Sequence, residues 1–471
     1  MLYDQNSKIA YFELSMIKRP PSIIPDPVEE IVRHHGSSAL SYLRLFTPLD
    51  DKGRYLHYDT LRFRIPKGLD HDLAWSIVKS ARRLQLADIL ELGEPATLCR
   101  LLITTTVQRA VSATDRYATT AALEWMSSQI NEQEHLAYLL NDLIEDEAIS
   151  SSQLEGAATT TRVAKDLLKR QRAPRTLDEK MIVGNFKLMQ AAWRFKDRPL
   201  SADLIAQLHH VGVESIDDER YRPGVFRSCG DTIVVEDGDG NVVHTPPSGQ
   251  GLEGRLKALA DWVNTDHSDT QSLRYIHPLV KAITLHFAIG YEHPFHDGNG
   301  RVARSLFYWY LFKQDYAAFR YIAISTLLKS APIQYGKSYL YTETDDMDLT
   351  YFVEYQCKVI SRAIATFKAT YDETVQQIQA FKAFLYESGL NRELSDKQKT
   401  VLQVAQSGRV KEFTATGVKE NLDCSYNTAA AVLNGLVDHQ LFHKRKDGRE
   451  WVYAMLAPAV ILGHWNGDPA P

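Results

Sequence analysis

The sequence is poor in cysteine, and its cysteines are widely separated. Cys99, Cys229, Cys357 and Cys424 are the only four among 471 residues, and no two of them have the CxxC spacing. Zinc sites and disulfide frameworks both need cysteines that recur at short intervals. The spacing therefore argues against both kinds of site and predicts a reducing environment.

The chain also lacks a long apolar run and a strong charge of either sign. Its N-terminus, MLYDQNSKIAYFELSM, has no basic start followed by an apolar stretch, and no segment is apolar for long enough to span a bilayer. A net charge of -5, with 44% apolar residues, gives no overall attraction to nucleic acid or acidic membranes. We predict a globular cytoplasmic protein with no membrane partner, in which any contact with nucleic acid is local.

A chain of 471 residues exceeds what one core usually organises, so several domains are expected. Between Leu136 and Ile144, leucine and isoleucine recur at steps of three and four, which predicts a buried helical stripe. The predicted fold class is mainly α, with a β-hairpin in the core and a small α+β domain at the C-terminus. The predicted parts are an N-terminal region of unknown role (1–105), a helical segment (106–175), a helical core with a following long helix (176–390) and a winged-helix-like domain (391–471).

The β-hairpin is predicted from two short runs of β-branched residues in the core segment. The residues between them read Glu-Asp-Gly-Asp-Gly-Asn, which is a strong turn signal. Pro246 and Pro247 end the second strand. The predicted strand residues are Ile233, Val234, Val235, Val242 and Val243.

One stretch between two predicted helices, HPFHDGNGRVAR at residues 293–304, carries residue types suited to phosphate chemistry. Gly298, Asn299 and Gly300 open a helix, so backbone N–H groups and the positive end of the helix dipole can face an anion. Arg301 and Arg304 are three residues apart and therefore share a helix face, where two guanidinium groups can hold phosphates. This pattern predicts a phosphate-binding site.

Two further residues of the stretch suit the chemistry of a bound phosphate ester. Asp297 is an oxygen ligand of the kind that Mg²⁺ takes when substrate phosphates supply its other ligands. His293 has an ordinary pKa near 6.5, which makes it a suitable acceptor of a hydroxyl proton at neutral pH.

The stretch resembles the Fic family signature HPFx(D/E)GNGRxxR, which is matched in full with His296 at the variable position. The resemblance implies that AMP is transferred from Mg-ATP to a Ser, Thr or Tyr hydroxyl of a protein, this protein included. His293 would be the base, Asp297 the Mg²⁺ ligand and Phe295 a core anchor. The nucleotide would be bound by Gly298, Asn299, Gly300, Arg301 and Arg304.

By the same resemblance, residues 233–243 form a flap that holds a target segment by strand-like backbone pairing. A plain surface hairpin is the alternative. Relatives that act as kinases or transfer other groups usually lack the signature glycines, and Gly298 and Gly300 are both present here. This favours AMP transfer over a Fic-fold kinase or another nucleotidyltransferase.

A second, upstream segment resembles the inhibitory helix of the Fic family. Ser151, Glu155 and Gly156 fit its (S/T)xxxE(G/N) pattern, and the resemblance implies that Glu155 pairs with Arg304. A carboxylate on that guanidinium would compete with the γ-phosphate and slow the free enzyme. Family members with this glutamate can also remove AMP, and such members are often tuned by dimerisation, so de-AMPylation and a homodimer are open alternatives. A solvated glutamate at a serine-rich helix end is the structural alternative.

The C-terminal pattern of three helices and a charged turn predicts a winged helix at residues 395–456. Residues 423–439 look like a recognition helix capped by Ser425, and residues 443–449 look like a basic wing. Residues 395–456 contain nine Lys or Arg and seven Asp or Glu, which is a small excess of positive charge for contacts with DNA phosphates. DNA and a docking protein are therefore equal alternatives as partners. A transcription regulator that uses the Fic core as a nucleotide sensor is the alternative function, although a sensor would not need His293.

Overall fold

The computed structural model describes residues 17–130, 145–169, 172–236, 242–272, 274–406, 410–447 and 450–465. The fold is mainly α, as predicted, and none of the described helices is long and apolar enough to cross a membrane. The leucine-rich stripe up to Ile144 lies outside the described residues, as do the turn residues 237–241. The chain divides into two compact units, Met1–Thr120 with Leu143–Ile364 and Ala121–Asp142 with Ala365–Pro471. The predicted boundaries at 105, 175 and 390 stay predictions.

The first half of the chain contains short helices and one hairpin. Its helices are α1 (Pro27–His34), α2 (Ala39–Leu43), α3 (Tyr58–Leu61), α4 (His71–Arg83), α5 (Thr105–Tyr117), α6 (Thr120–Ile130), α7 (145–154), α8 (Thr161–Lys169), α9 (Leu177–Arg194) and α10 (Ala202–Val213). Its strands β1 (Ala87–Leu92) and β2 (Thr97–Leu101) pair antiparallel. Several of these helices begin at a residue whose side chain accepts a backbone N–H, such as Asp70, Thr176 and Ser201.

The second half of the chain contains the signature stretch, a long helix and the C-terminal unit. Its helices are α11 (Leu252–Asn264), α12 (Pro278–Glu292), α13 (Asn299–Lys313), α14 (Ser325–Ser330), α15 (Pro332–Thr344), α16 (Thr350–Glu387), α17 (Leu390–Glu393), α18 (Asp396–Gln406), α19 (Ala415–Asn421), α20 (Tyr426–Asp438) and α21 (Pro458–Trp465). Its strands are β3 (Val235–Glu236), β4 (Val242–His244), β5 (Phe442–Asp447) and β6 (Glu450–Met455). Short 3₁₀ helices lie at Gly36–Ser38, Glu219–Tyr221 and Ala317–Tyr321.

Helices α12 and α13 form the centre of the first unit. Both are buried along nearly their whole length, and α12 is apolar on all sides, which is typical of a central helix. Phe295, in the loop between them, is fully buried and is thus the core anchor that the signature implied. Because both ends of this loop are fixed in the core, the loop itself has little freedom to move.

The hairpin formed by β3 and β4 differs from the sequence prediction at one end. Val235 pairs with His244 and Glu236 with Val242, so the first strand begins at Val235, and the predicted strand character of Ile233 and Val234 is wrong. Continued pairing would place Ile233 opposite Pro246, which has no N–H group to donate. The second strand extends to His244, one residue beyond the prediction.

The second unit contains the predicted C-terminal arrangement of helices followed by a hairpin. Helices α18, α19 and α20 precede strands β5 and β6, which pair antiparallel from Phe442 with Met455 to Asp447 with Glu450. The side chain of Ser425 accepts the N–H of Thr428 and so caps α20, as predicted. Of the predicted basic wing, Gly448 and Arg449 lie outside the described residues.

Candidate active site

His293 lies at the C-terminal end of α12, in a left-handed backbone conformation. Its φ is 47°, and its N–H donates to Ile289 O at 3.0 Å. Its Nδ1 lies 3.2 Å from Gly290 O, and a carbonyl oxygen can only accept, so Nδ1 carries the proton. The remaining ring nitrogen, Nε2, is therefore the one that can accept a proton.

The surroundings of His293 keep its ring neutral. Burial lowers the pKa of His293 to about 4, and the charges of His244 and Arg227 act in the same direction. The Gly290 carbonyl and Glu155 oppose this shift without reversing it. At neutral pH the ring is thus in the form that a base requires.

The carbonyl groups at the end of α12 are satisfied by cationic side chains. The ring of His244 contacts Tyr291 O at 3.0 Å, and Arg227 donates to Glu292 O at 3.0 Å and to His293 O at 2.7 Å. The N–H of Arg227 also donates to Pro294 O. These bonds satisfy the carbonyls that a helix leaves unpaired at its C-terminus and place positive charge at the negative end of its dipole.

The turn before α13 depends on the left-handed backbone of a glycine and on a hydrogen bond from a histidine. Gly298 has a φ of 81°, and a Cβ there would lie 3.3 Å from His209 Nε2. His209 Nδ1 accepts the N–H of Gly224, so its Nε2 donates to Asp297 O at 3.0 Å. Its ring also stacks on Phe295, with 3.7 Å between the ring centres. His209 thus positions the turn, and burial, which lowers its pKa to about 4, keeps it neutral.

Asn299 stabilises the loop through its side chain. Its Oδ1 accepts the N–H of Phe295 and its Nδ2 donates to Phe295 O, both at 2.8 Å. The amide is therefore already engaged within the protein. The predicted role of Asn299 in binding an anion depends on its backbone N–H at the start of α13.

The two arginines of the signature are both buried, but they have different partners. Arg304 donates to Ser151 Oγ at 2.8 Å, to Ser151 O at 3.1 Å and to Glu155 Oε1 at 2.7 Å. Arg301 makes one long contact of 3.4 Å to Gly212 O and lies over the ring of Tyr221. Its Nε and Nη2 are buried and have no hydrogen-bond partner among the described residues. Such donors suit an anion that enters the site.

Glu155 is ionised in this arrangement. Burial opposes its charge, but the charges of Arg304, and to a lesser extent of Arg301, hold the pKa of Glu155 below its ordinary value. A Cβ on Gly300 would collide with the Glu155 carboxylate, so a larger residue at this position would displace that carboxylate. The structure thus pairs Glu155 with Arg304, as the resemblance implied, and adds Ser151 as a second partner of Arg304.

The segment that carries Glu155 is anchored to the core along its length. Ser325 donates to Glu147, Ser152 donates to Met181 O at 3.2 Å, and Ser150 bonds to Thr326 at 3.1 Å. Glu155 is therefore held in place by several polar contacts in addition to its own ion pair.

Asp297 lies at the opposite side of the glycine turn. Its Oδ1 accepts the N–H of Gly298 at 2.6 Å. Burial raises its pKa, and the negative charge of Glu155 adds to the shift. A divalent cation would relieve this repulsion, which agrees with the predicted metal role without testing it.

Parts of the chain are similar to known proteins. Residues 199–311 match the model of the Fic/DOC family. The chain therefore contains a Fic/DOC domain over these residues. Protein adenylyltransferase Fic of Nematostella vectensis is 30% identical over 130 residues, which are 28% of this chain and 26% of that protein. The Drosophila melanogaster protein of the same name is 34% identical over 73 residues, which are 16% of this chain and 14% of its own length.

The chain thus matches about a quarter or less of the length of these curated Fic relatives. Among solved structures, a Fic family protein from Desulfovibrio desulfuricans G20 is 16% identical, with 75% of this chain and 97% of that chain covered and a TM-score of 0.48. A segment of Fic-1 from C. elegans is 17% identical, with 79% and 94% covered and a TM-score of 0.44.

Several residues that shape the Fic site were not found by sequence reasoning. His209, Arg227 and His244 are scattered single residues, and no spacing links them to the signature. The N-terminal region also contributes, because the N–H of Gly93, in the turn between β1 and β2, donates to Glu292 at 2.8 Å. Glu292 also accepts from Arg255 at 2.8 Å. A region with no recognisable motif thus supports the residue next to His293.

Proposed function

We propose that this protein transfers AMP from Mg-ATP to a protein hydroxyl, and that Glu155 restrains the reaction. The observation that carries the proposal is a neutral His293, with Nε2 available, at one end of the loop whose other end leads into the helix that holds the unpartnered donors of Arg301. A base and an anion-binding group at the two ends of one loop suit transfer of a phosphate ester to a hydroxyl.

In the proposed reaction, His293 Nε2 takes the proton of the target hydroxyl. The oxygen forms a bond to the α-phosphorus of ATP while the bond from that phosphorus to the bridging oxygen breaks, and pyrophosphate leaves with the bond's electrons. Arg301 and Arg304 stabilise the charge that develops on the departing phosphates. Positioning and electrostatics therefore account for most of the catalysis.

The residues present fit Mg-ATP. Gly298 and Gly300 place no side chain of their own at the N-terminus of α13, and Arg301 offers buried donors there. Asp297 would hold Mg²⁺, because a single carboxylate suffices when phosphates supply other ligands. When bound, Mg²⁺ would neutralise phosphate charge beside the α-phosphorus.

The proposed restraint acts through Arg304. Glu155 and Ser151 occupy the Nε and Nη2 donors of Arg304, so fewer of its N–H groups can reach a phosphate than when Glu155 is displaced. The nucleotide would then bind in an unproductive position. De-AMPylation by the same site, with Glu155 positioning a water, is a second proposal that the ionised state of Glu155 favours.

The test is the intact mass of purified protein after incubation with Mg-ATP. We expect Glu155→Gly to gain AMP far more than wild type and Glu155→Gly with His293→Ala to gain none. Glu214→Gly, which removes an exposed carboxylate elsewhere, should behave as wild type. An added mass of phosphate would favour a kinase, and a different nucleotide would favour another nucleotidyltransferase. No adduct on any variant or on added protein would overturn the proposal and favour the nucleotide-sensing regulator.

A target protein, a homodimer and a partner of residues 395–456 also stay proposals. The exposed residues of β5 run from His443 to Asp447, and among them Arg445 pairs with Glu412, and Lys444 contacts Asn434 and lies over Trp451. Because these two cations are engaged within the unit, they favour neither DNA nor protein as the partner. A salt-dependent mobility shift of labelled duplex would support DNA, and no shift at low salt would favour a protein.

A further inference from the structure

His244 lies between the flap and the helix that presents His293. It is the last residue of β4, directly after the flap, and its side chain is 9% exposed. Its Nδ1 lies 2.8 Å from Glu343 Oε2, at the end of α15, and its Nε2 lies 3.0 Å from Tyr291 O, in the last turn of α12. One imidazole ring thus connects three elements.

The partners of His244 determine its protonation state. A carbonyl oxygen only accepts hydrogen bonds, and an ionised carboxylate also only accepts. For both bonds to form, both ring nitrogens must carry hydrogen, so His244 is an imidazolium in this geometry. Its positive charge then lies at the C-terminal end of α12, where the helix dipole favours a cation.

Other charged and titratable groups surround His244. Arg227, which is bound to the same helix end, opposes a charge on His244, and so does burial. The ring of Tyr291 is 5.4 Å away and the ring of His293 is 6.4 Å away, both measured between ring centres. Burial lowers the pKa of His244, but the Glu343 carboxylate and the Tyr291 carbonyl outweigh it, and the net shift is upward.

We propose that His244 is a positioning residue that, when protonated, holds the C-terminal end of the flap against the end of the helix that carries His293. The role rests on the proposed AMP transfer, because the flap is where the target segment would pair. A second link runs beside it, since Arg227 donates to Pro247 O and to His293 O. Of the two links, the one through His244 can lose its charge as the pH rises, whereas Arg227 stays protonated.

Loss of the proton would weaken the link. A neutral imidazole has one N–H and cannot donate to both Glu343 and Tyr291 O. Because the pKa of His244 is raised in the folded protein, its stabilising contribution is present below its ordinary value near 6.5 and is lost as the pH rises through the higher folded value. Target binding should therefore weaken on the alkaline side, while His293 stays neutral throughout that range.

The first test is independent of enzymatic activity. In the full chain with isotope-labelled histidine, the NMR signals of His244, assigned with His244→Gln, should show protons on both nitrogens at neutral pH and a pKa above the ordinary value. Glu343→Gln should bring that pKa below the ordinary value. Glu214→Gln, which removes the exposed partner of His210, should leave His244 unchanged. A His244 ring with a single proton at neutral pH would overturn the proposal.

The second test separates binding from chemistry. With Glu155→Gly as the enzyme and the full chain carrying His293→Ala as the acceptor, Glu343→Gln in the enzyme should raise the acceptor KM about tenfold, as expected for one charge-assisted hydrogen bond. The value of kcat should change little, and His71→Gln, at an exposed histidine, should change neither. An unchanged KM with active AMP transfer would overturn the role of His244. If Glu155→Gly transfers no AMP at all, the proposed function fails, and the NMR titration still decides the state of His244.

Discussion

Arg301 and Arg304 lie one turn apart on α13 and are equally buried, yet their surroundings differ. The Nε and Nη2 of Arg304 are bonded to Ser151 and Glu155 from the upstream segment, whereas Arg301 has two buried donors without a partner among the described residues. In the proposed function, the difference means that Arg304 is restrained by the protein while Arg301 is open to an anion. A site of this kind can bind nucleotide and still fail to align it.

The largest expected effect is on the rate of AMP transfer, which depends on the base His293, while ATP binding depends on the two arginines. In the Glu155→Gly background, His293→Ala should lower the rate of AMP transfer about 10²–10⁴-fold, because a positioned general base contributes that much. ATP affinity, measured by calorimetry, should change little because the phosphates contact the arginines. A residual rate close to that of the parent would mean that another group accepts the proton.

The second prediction concerns the stability of the protein without nucleotide. Arg304→Ala should lower the free energy of unfolding by about 2–4 kcal/mol, because it leaves the Glu155 carboxylate, 23% exposed, without its cation. Arg301→Ala should cost less than about 1 kcal/mol, because its lost donors were unsatisfied. Urea unfolding would measure both. Equal losses of unfolding free energy would contradict the distinction between the two arginines. The double variant Arg304→Ala, Glu155→Ala should recover part of the stability that Arg304→Ala loses.

The third prediction tests whether charge is the basis of the restraint. Glu155→Gln keeps the size of the side chain and an acceptor for Arg304, but hydrogen bonds between neutral and charged groups are weaker than those between two charged groups. We expect an AMP-transfer rate about tenfold above wild type and below that of Glu155→Gly, since one charge-assisted bond is worth about that factor. A rate equal to wild type would show that shape alone blocks the site.

The smallest expected effect is in the pH dependence. Burial lowers the pKa of His293 to about 4, so on the acid side AMP transfer by Glu155→Gly should fall only as the pH approaches that value. The pKa of Glu155 is held below its ordinary value, so the restraint is present above that value and is lost as the pH falls through the lower folded one. The ratio of variant to wild-type rates should therefore be constant between about pH 5 and pH 7. A ratio that changes in this interval would contradict the account of Glu155.

Much of this site could be predicted because its residues are adjacent in sequence. The stretch from His293 to Arg304 combines a helix end, a glycine turn and a helix start, and each leaves a local signal. The long helix predicted to follow the core is confirmed as Thr350–Glu387, because its periodicity is a local feature.

The remaining features depend on tertiary contacts that have no local pattern. His209 and Arg227 act by reaching the carbonyls of Asp297 and His293, which are distant in sequence. The first strand of the hairpin was predicted to begin too early, because its run of β-branched residues suggested pairing that Pro246 on the opposite strand cannot provide. Asn299 was predicted to bind the nucleotide because of its position in the signature, but its side-chain Oδ1 accepts the N–H of Phe295.

The most direct test of the central claim compares two labels. Glu155→Gly would be incubated with Mg-ATP labelled at the α-phosphate and, separately, at the γ-phosphate, and label on protein would be measured over time. The account predicts rapid incorporation from the α-label, none from the γ-label, and little from either with wild type. Incorporation from the γ-label, or equal α-label incorporation by wild type and Glu155→Gly, would contradict it.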